Sequence, residues 1–426
     1  MKFDKWFEYA LGDVCTVTDC LHKTAPSVEY ATPYRMLRTA NIRNGKIDAH
    51  NTKSVTKETY EKWSVRGYLD IGDVVLTREA PMGEVGLIRT NDYKFFLGQR
   101  MLQLKANKEV ITPEFLYYSL QGRDLQHQIN MNEGTGSVVS NIRIPLLKKM
   151  KVKVPPMEIQ NKITNILSSL DEKEEMNKQI IDNLEEIAQS LFKHWFIDFE
   201  FPNEDGVPYR FSGREMVESE LGLIPEGWEV GAASNLFEFS PKTSLKKGGN
   251  APYVEMKNLK SSAMINDWTN KEFKGSGSKF LNGDTLLARI TPCLENGKIG
   301  YVNFLKPNQV GWGSTEFITI RSKSHVSPVF TYYFASQPHF KSYAIMNMNG
   351  SSGRQRVKAE TLAQYQMALP PSYLINNYTD LVEPIMDKMR IIRDENNNLK
   401  AMRDILLPKL ISGEIDLCEV KKDVLV

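Results

Sequence analysis

The chain has 426 residues, of which 25% are charged and 41% hydrophobic, and a formal net charge of +2. This composition excludes a disordered chain, and the length exceeds one ordinary core, so roughly two to three domains are expected. Cys15, Cys20, Cys293 and Cys418 form no CxxC pair and have no accompanying His cluster, which argues against a zinc site or a disulfide framework.

Residues 1–156 read as mixed, β-rich structure. Short apolar runs such as Val74-Val75-Leu76 lie between Gly, Asn and Asp turns. A helix is expected over residues 113–130, with Pro113 in its first turn and Tyr117, Leu120 and Leu125 on one face. Val152-Lys153-Val154 looks like a last strand before Pro155-Pro156. A long heptad helix follows over residues 157–201. Its expected pairing seam is Ile159, Ile163, Ile166, Leu170, Ile180, Leu184, Ile187 and Leu191, interrupted by Lys173 and Asn177. His194 falls in the same helix and is read as a packing residue. Residues 202–227 are rich in Gly, Pro and acid and read as a connector.

From Trp228 the chain begins again. Leu69-Asp-Ile-Gly72-Asp73 through Arg78, Pro81, Glu84 and Gly86 recurs 211 residues later as Phe280-Leu-Asn-Gly283-Asp284 through Arg289, Pro292, Glu295 and Gly297. Thr112-Pro-Glu-Phe115 matches Ser327-Pro-Val-Phe330 at a shift of 215, as Val154-Pro-Pro matches Leu369-Pro-Pro. A period this long marks a duplicated half-protein, since solenoid units run about 20–50 residues. The second half spans residues 228–371. A second heptad helix over 372–414 keeps the frame with Leu374, Tyr378, Leu381, Ile385, Ile392, Leu399, Met402 and Leu406, with Lys388 and Glu395 as polar insertions. Pro384 should kink or break it. Residues 415–426 read as a tail.

Charge follows this division. Residues 1–156 carry 23 Lys/Arg against 17 Asp/Glu, residues 229–369 carry 17 against 9, and residues 157–228 carry 6 against 16. Two basic lobes on an acidic spacer fit two anion-binding modules. The N-terminus lacks the apolar run of a signal peptide, and no stretch approaches about 18 apolar residues. The chain is therefore expected to be soluble and cytoplasmic, with no membrane partner.

Catalytic motifs fail on inspection. Phe273-Lys-Gly275-Ser-Gly277 imitates a methyltransferase cofactor loop, but no hydrophobic strand precedes it in the sequence. The two Pro-Pro steps lack the Asn or Asp that would bind a target amine. There is no phosphate loop for ATP. Asp198, Glu200 and Glu204 read as solvated charge rather than metal ligands. No catalytic residue, metal site or cofactor is expected on this chain.

Two variable basic lobes, each followed by a heptad helix, resemble the specificity subunit of type I restriction–modification enzymes. Leu191-Phe-Lys-His-Trp-Phe-Ile-Asp-Phe-Glu-Phe-Pro202, Glu220-Leu-Gly-Leu-Ile-Pro-Glu-Gly-Trp-Glu-Val230 and Leu406-Leu-Pro-Lys-Leu-Ile-Ser-Gly-Glu-Ile415 carry the resemblance. The expected fold class is α+β. Two mixed α/β target-recognition domains are separated by two long antiparallel coiled-coil helices, with a pseudo-twofold internal repeat. Periodicity by itself does not decide between parallel and antiparallel pairing. The resemblance implies a non-catalytic subunit that reads a bipartite site in double-stranded DNA. It also implies partner subunits: a pair of methyltransferase subunits and restriction/translocase subunits. S-adenosylmethionine, ATP and magnesium would then belong to those partners. The alternatives are a stand-alone DNA-modifying enzyme and a two-lobed protein scaffold.

The duplication sorts the candidate DNA contacts. Residues common to both lobes cannot distinguish two half-sites, so Arg78 and Arg289 are assigned to structure or phosphate. The Gly/Ser loops offer Ser137, Asn141 and Arg143 in the first lobe. Their second-lobe counterparts are Ser351, Ser352, Arg354, Gln355, Arg356 and Lys358. Arg suits guanine, and Asn or Gln suits adenine. A further region offers Arg35, Arg38, Asn41 and Arg43, with Lys257 and Asn258 as counterparts.

Overall fold

The computed structural model describes residues 6–131, 141–203, 206–213, 215–351 and 353–417. They form two compact units, one of Met1–Lys173 with Leu399–Val426 and one of Glu174–Asn398. Each unit contains one lobe and a section of each long helix.

The first lobe opens with Phe7–Ala10 and closes with Lys151–Val154, paired antiparallel so that Phe7 faces Val154. Between them lies a four-stranded sheet in the order Cys15–Asp19, Met101–Ala106, Val74–Thr77, Val85–Leu87. A smaller sheet pairs Tyr34–Leu37 parallel with Lys94–Leu97 and antiparallel with Lys53–Ser54. All four residues of Val74–Thr77 are buried, as a continuous apolar run at a sheet's centre requires.

The second lobe repeats this plan. Glu229–Ala232 pairs with Gln366–Leu369. The main sheet runs Phe237–Phe239, Phe317–Ser322, Thr285–Ala288, Ile299–Tyr301, Ser261–Met264. In the smaller one Asn250–Val254 pairs parallel with Gly311–Gly313, flanked by Thr269–Glu272 and Ser278–Phe280. The sequence repeat thus becomes a structural one. Thr112 and Ser327 cap helices Pro113–Gln121 and Pro328–Ala335. Their hydroxyls accept from Phe115 N (3.1 Å) and Val329 N (3.2 Å), and proline fills the first turn in each. The helix expected over 113–130 is two helices, Pro113–Gln121 and Arg123–Met131. They part at Gly122, where a Cβ would sit 3.0 Å from Ser119 O and 3.2 Å from Ile411.

The central helix runs Met157–Phe196 and the distal helix Ser372–Ser412, each about 60 Å long at about 1.5 Å per residue. They are antiparallel within each unit. In the first unit Arg403 bonds Asp171 at 3.1 Å and Lys162 donates to Leu417 O at 3.3 Å. In the second, Asn177 donates to Glu395 (2.7 Å) and Asn396 (2.9 Å), and Tyr378 donates to Ala188 O (3.2 Å). Asn177 is buried and bonded, so this polar seam position fixes register.

The rest of the seam needs correction. Ile159, Ile163, Leu374 and Ile392 are buried, and Ile166, Leu170, Leu184, Leu191, Ile385, Leu399 and Leu406 are half-buried. Ile180, Ile187 and Leu381, however, are 42%, 54% and 52% exposed. The buried line passes instead through Leu167, Ile181, Glu185, Ala188 and Phe192, and through Val382, Met386 and Met389. Two effects move it. In the second unit both helices pack against the second lobe as well as each other: Glu185 accepts from Tyr332 and Ala263, and Phe192 packs on Phe330. A strict heptad also drifts by about 20° per repeat on a straight helix, or about 80° from Ile159 to Ile187. Ala188, one residue on, returns to the face of Ile159.

Three smaller expectations change as well. The distal helix continues through Pro384, which lies on its exposed side while Val382 and Met386 anchor the turn in the core. Tertiary packing there outweighs a proline cost of about 3 kcal/mol. His194 is exposed rather than packed. The connector contains a hairpin, Met216–Ser219 with Gly222–Pro225, and its Tyr209 stacks on Phe201, just before the connector, which stacks in turn on Trp228.

Candidate nucleic-acid interface

The shared Gly-Asp pairs build the platform. Gly72 and Gly283 adopt positive φ (91° and 88°), as sharp turns into the central strands require. Asp73 is buried and accepts from Asp70 N (2.9 Å) and Gln103 Nε2 (2.6 Å). Asp284 accepts from Leu281 N (2.7 Å) and from both Nε and a terminal nitrogen of Arg321 (2.7 Å each). These turns aim Val74–Thr77 and Thr285–Ala288 so that Arg78 and Arg289 emerge at one end of each main sheet.

At that end three segments meet in each lobe. Ile142 N donates to Arg78 O (3.1 Å), and Arg78 N to Arg100 O (2.7 Å). Likewise Val357 N donates to Arg289 O (3.0 Å), and Arg289 N to Glu316 O (3.0 Å). The further region joins the same loop: Thr39 Oγ1 donates to Ala80 O at 3.2 Å, and Lys298 donates to Met256 O at 2.9 Å. Both candidate regions therefore border one surface in each lobe.

Side-chain partners divide the candidates. Arg78 donates from Nε to Asn141 Oδ1 (2.8 Å) and Ile142 O (3.0 Å) and pairs with Asp19 (3.1 Å), so Arg78 and Asn141 are mutually engaged. Arg35 donates to Ser54 Oγ (2.7 Å) and lies 4.8 Å over the Tyr93 ring. Asn41 is buried, accepting from Arg38 N and donating to Asn51 O; its counterpart Asn258 accepts from Glu255 N. These two Asn residues lock equivalent turns. Arg43 donates to Thr39 O and Ile42 O. Lys257 pairs with Glu255 at 2.8 Å; with Lys271 it holds the Glu255 carboxyl down at about 2. Arg356 forms a two-pronged pair with Glu316 (2.8–3.0 Å) and keeps that carboxyl below the usual range.

Arg143, Ser351, Arg354, Gln355 and Lys358 remain. Their side chains make no hydrogen bond or ion pair among the described residues, and only Gln355 is not exposed. Arg143 and Lys358 each precede a short helix, Ile144–Lys149 and Ala359–Ala363. In the second lobe Asn349 and Arg356 pair through their backbones and close the loop that carries Arg354. Arg38 and Arg289 each keep a buried Nε without a partner among the described residues. Ser137 and Ser352 lie outside the described residues.

Sequence reasoning missed the carboxylates Asp19 and Glu316, which lie far along the chain from Arg78 and Arg356 and carry no local motif. It also missed that His22 approaches Cys20. Asp19, Cys20 and His22 place their ligand atoms within 4.8 Å of one another. Asp19 is committed to Arg78 and His22, and burial raises the Cys20 thiol, which opposes a metal-binding thiolate.

The family described as type I restriction modification DNA specificity domain matches residues 4–186 and 225–401, one stretch for each lobe with part of the central or distal helix. The chain belongs to this type I specificity family. It is 25% identical over 390 residues to the type I restriction enzyme MjaIX specificity subunit of Methanocaldococcus jannaschii, covering 86% of this chain and 83% of that protein. The HindI specificity subunit of Haemophilus influenzae is 23% identical over 472 residues, covering 96% of this chain and 99% of the relative. A type I restriction–modification S subunit from M. genitalium shares the fold, with a TM-score of 0.54, 16% identity, and coverage of 96% and 97%. Among the described residues of this family member, no helix is long and apolar enough to cross a membrane.

Proposed function

We propose that this chain is the non-catalytic DNA-recognition subunit of a type I restriction–modification complex, reading a bipartite duplex site with one half per lobe. One observation carries this reading. The two lobes present the same three-segment surface, yet fill it with different side chains. Asn141 bonded to Arg78 in the first lobe is replaced by Arg356 bonded to Glu316 in the second. A common frame with different polar groups is what two half-sites of different sequence need.

Roles follow from engagement. Arg354 and Gln355 are the readers of one half-site, since their side chains have no partner to surrender among the described residues. Arg143 and Lys358 occupy equivalent positions in both lobes and serve phosphates. Arg35, Asn41, Arg43, Asn258 and Arg78 hold the surface in shape. The exposed apolar residues Ile180, Ile187 and Leu381 suit docking of methyltransferase subunits, taken as a pair, with restriction/translocase subunits joining the assembly. S-adenosylmethionine, ATP and magnesium belong to those partners, and the complex is cytoplasmic.

A binding competition between duplexes altered in one half-site at a time tests this. Arg354→Ala or Gln355→Ala should relax recognition of one half-site, by about 1–3 kcal/mol for a lost two-pronged base contact. Equal loss at both half-sites would remove the base-reading assignment.

A further inference from the structure

The connection between the second and third strands of each lobe differs sharply in charge. In the first lobe residues 20–33 carry Lys23 and Glu29; in the second, residues 240–249 carry Lys242, Lys246 and Lys247 and no acid. Against this second-lobe loop lies the segment 273–279, with Lys274 and Lys279 and again no acid. Gly248 N donates to Phe273 O and Phe273 N to Gly249 O, both at 2.9 Å, so the two loops form one body. Gly275 has φ of 104°, and a Cβ built there would lie 3.7 Å from Lys247 Cδ.

Lys242, Lys246, Lys247 and Lys274 are exposed, and none has a carboxylate within 4 Å among the described residues. Lys279 lies 5.3 Å from the centre of the Phe273 ring. An open polar cleft of about 440 Å³, lined by Lys242, Thr243, Ser278 and Lys279 among others, separates the loops from the main sheet. The loops also adjoin the reading surface. Ser278 donates to Phe317 O (2.7 Å) and Ser240 N to Thr319 O (2.6 Å). Phe317 directly follows Glu316, the partner of Arg356.

We propose that this lysine body is a phosphate-contacting site for duplex DNA, extending the second lobe's interface beyond its base-reading loop. This inference rests on the DNA-recognition reading above. Lysine is a flexible point charge without the planar fork that selects a base, so the site supplies affinity and register rather than sequence. The equivalent first-lobe segments, 20–33 and 62–68, hold fewer cations, Lys23, Lys62 and Arg66 with Glu29, and Arg66 is bonded to Cys20 O, so the two lobes contribute unequally to salt-dependent binding.

The test uses the full chain and a mixed-sequence duplex of about four helical turns, with affinity measured across a salt series. K246A/K247A/K274A should shrink the slope of log K against log salt by about 3, at about 0.9 per lost phosphate contact. Affinity at about 0.1 M salt should fall at least tenfold. K246R/K247R/K274R should restore both. A control with the same charge change on the helices, K178A/K388A/K400A, should leave the slope within about 1 of wild type. An unchanged slope in the loop variant, or an equal loss in the control, overturns this site while leaving the recognition reading intact. A wild-type chain without salt-dependent duplex binding overturns both.

Discussion

Arg78 separates scaffold from contact, and Arg78→Lys tests which it is. The substitution keeps the charge. It removes the Nε donor that reaches Asn141 (2.8 Å) and Ile142 O (3.0 Å), while lysine can still approach Asp19. The side chains of Arg78 and Asp19 are only 16% and 20% exposed, so water replaces these bonds poorly. Hydrogen bonds from a charged group contribute about 1.5–3 kcal/mol. Segment 141–150 should therefore open more readily by that amount, about 10- to 150-fold in an equilibrium constant. Amide hydrogen exchange of a peptide spanning 141–150 reads this directly, since Ile142 N donates to Arg78 O. Free DNA affinity at fixed salt should change little at the second half-site. If protection stays within twofold of wild type while affinity falls uniformly across sequences, Arg78 contacts phosphate and the scaffold argument is wrong.

Glu185 is buried and accepts from Tyr332 Oη (2.8 Å), Gln189 Nε2 (2.8 Å) and Ala263 N (3.1 Å), yet burial raises its carboxyl above the ordinary value of 4.5. A raised folded value means that its stabilising contribution is complete below about 4.5 and is lost as pH rises through the elevated value. Glu185→Gln should flatten that part of the pH dependence in urea unfolding; an unchanged difference between mildly acidic and neutral pH would contradict it. Ile187→Asp with Leu381→Asp should abolish co-purification with methyltransferase subunits and leave the thermal transition unaltered, because both side chains are already exposed. Retained assembly would place the docking surface elsewhere. Burial pushes the Cys15 thiol up to about 12, so alkylation near neutral pH should label half-buried Cys293 well before Cys15 in the native chain. Comparable rates would mean that the first lobe opens readily.

Much of the fold was legible because duplication printed it twice. Thr112-Pro and Ser327-Pro announced equivalent helix starts, and Gly72-Asp73 and Gly283-Asp284 announced equivalent turns. The long helices were visible as heptads, but the buried face was not. Apolar residues at Ile180, Ile187 and Leu381 satisfy the period as well as buried ones do, and only packing against a lobe decides between them. Gly122 was not read as a helix break because the close approach of Ile411 lies far along the chain. The interface was legible as composition but not as availability. Arg35, Asn41 and Arg43 look like readers in sequence, whereas Ser54, Asn51 and Thr39 occupy their polar groups in the fold. The lysine body escaped notice because its two loops are separated by more than twenty residues and by strands Asn250–Val254 and Thr269–Glu272.

The central claim is that each lobe reads its own half of a split site. Replacing residues 228–371 with the equivalent lobe of a specificity-family relative, and mapping modified bases in the DNA of cells that carry the methyltransferase, tests it directly. A new sequence is expected in one half of the modified site and an unchanged sequence in the other. A change in both halves, or in neither, would contradict it.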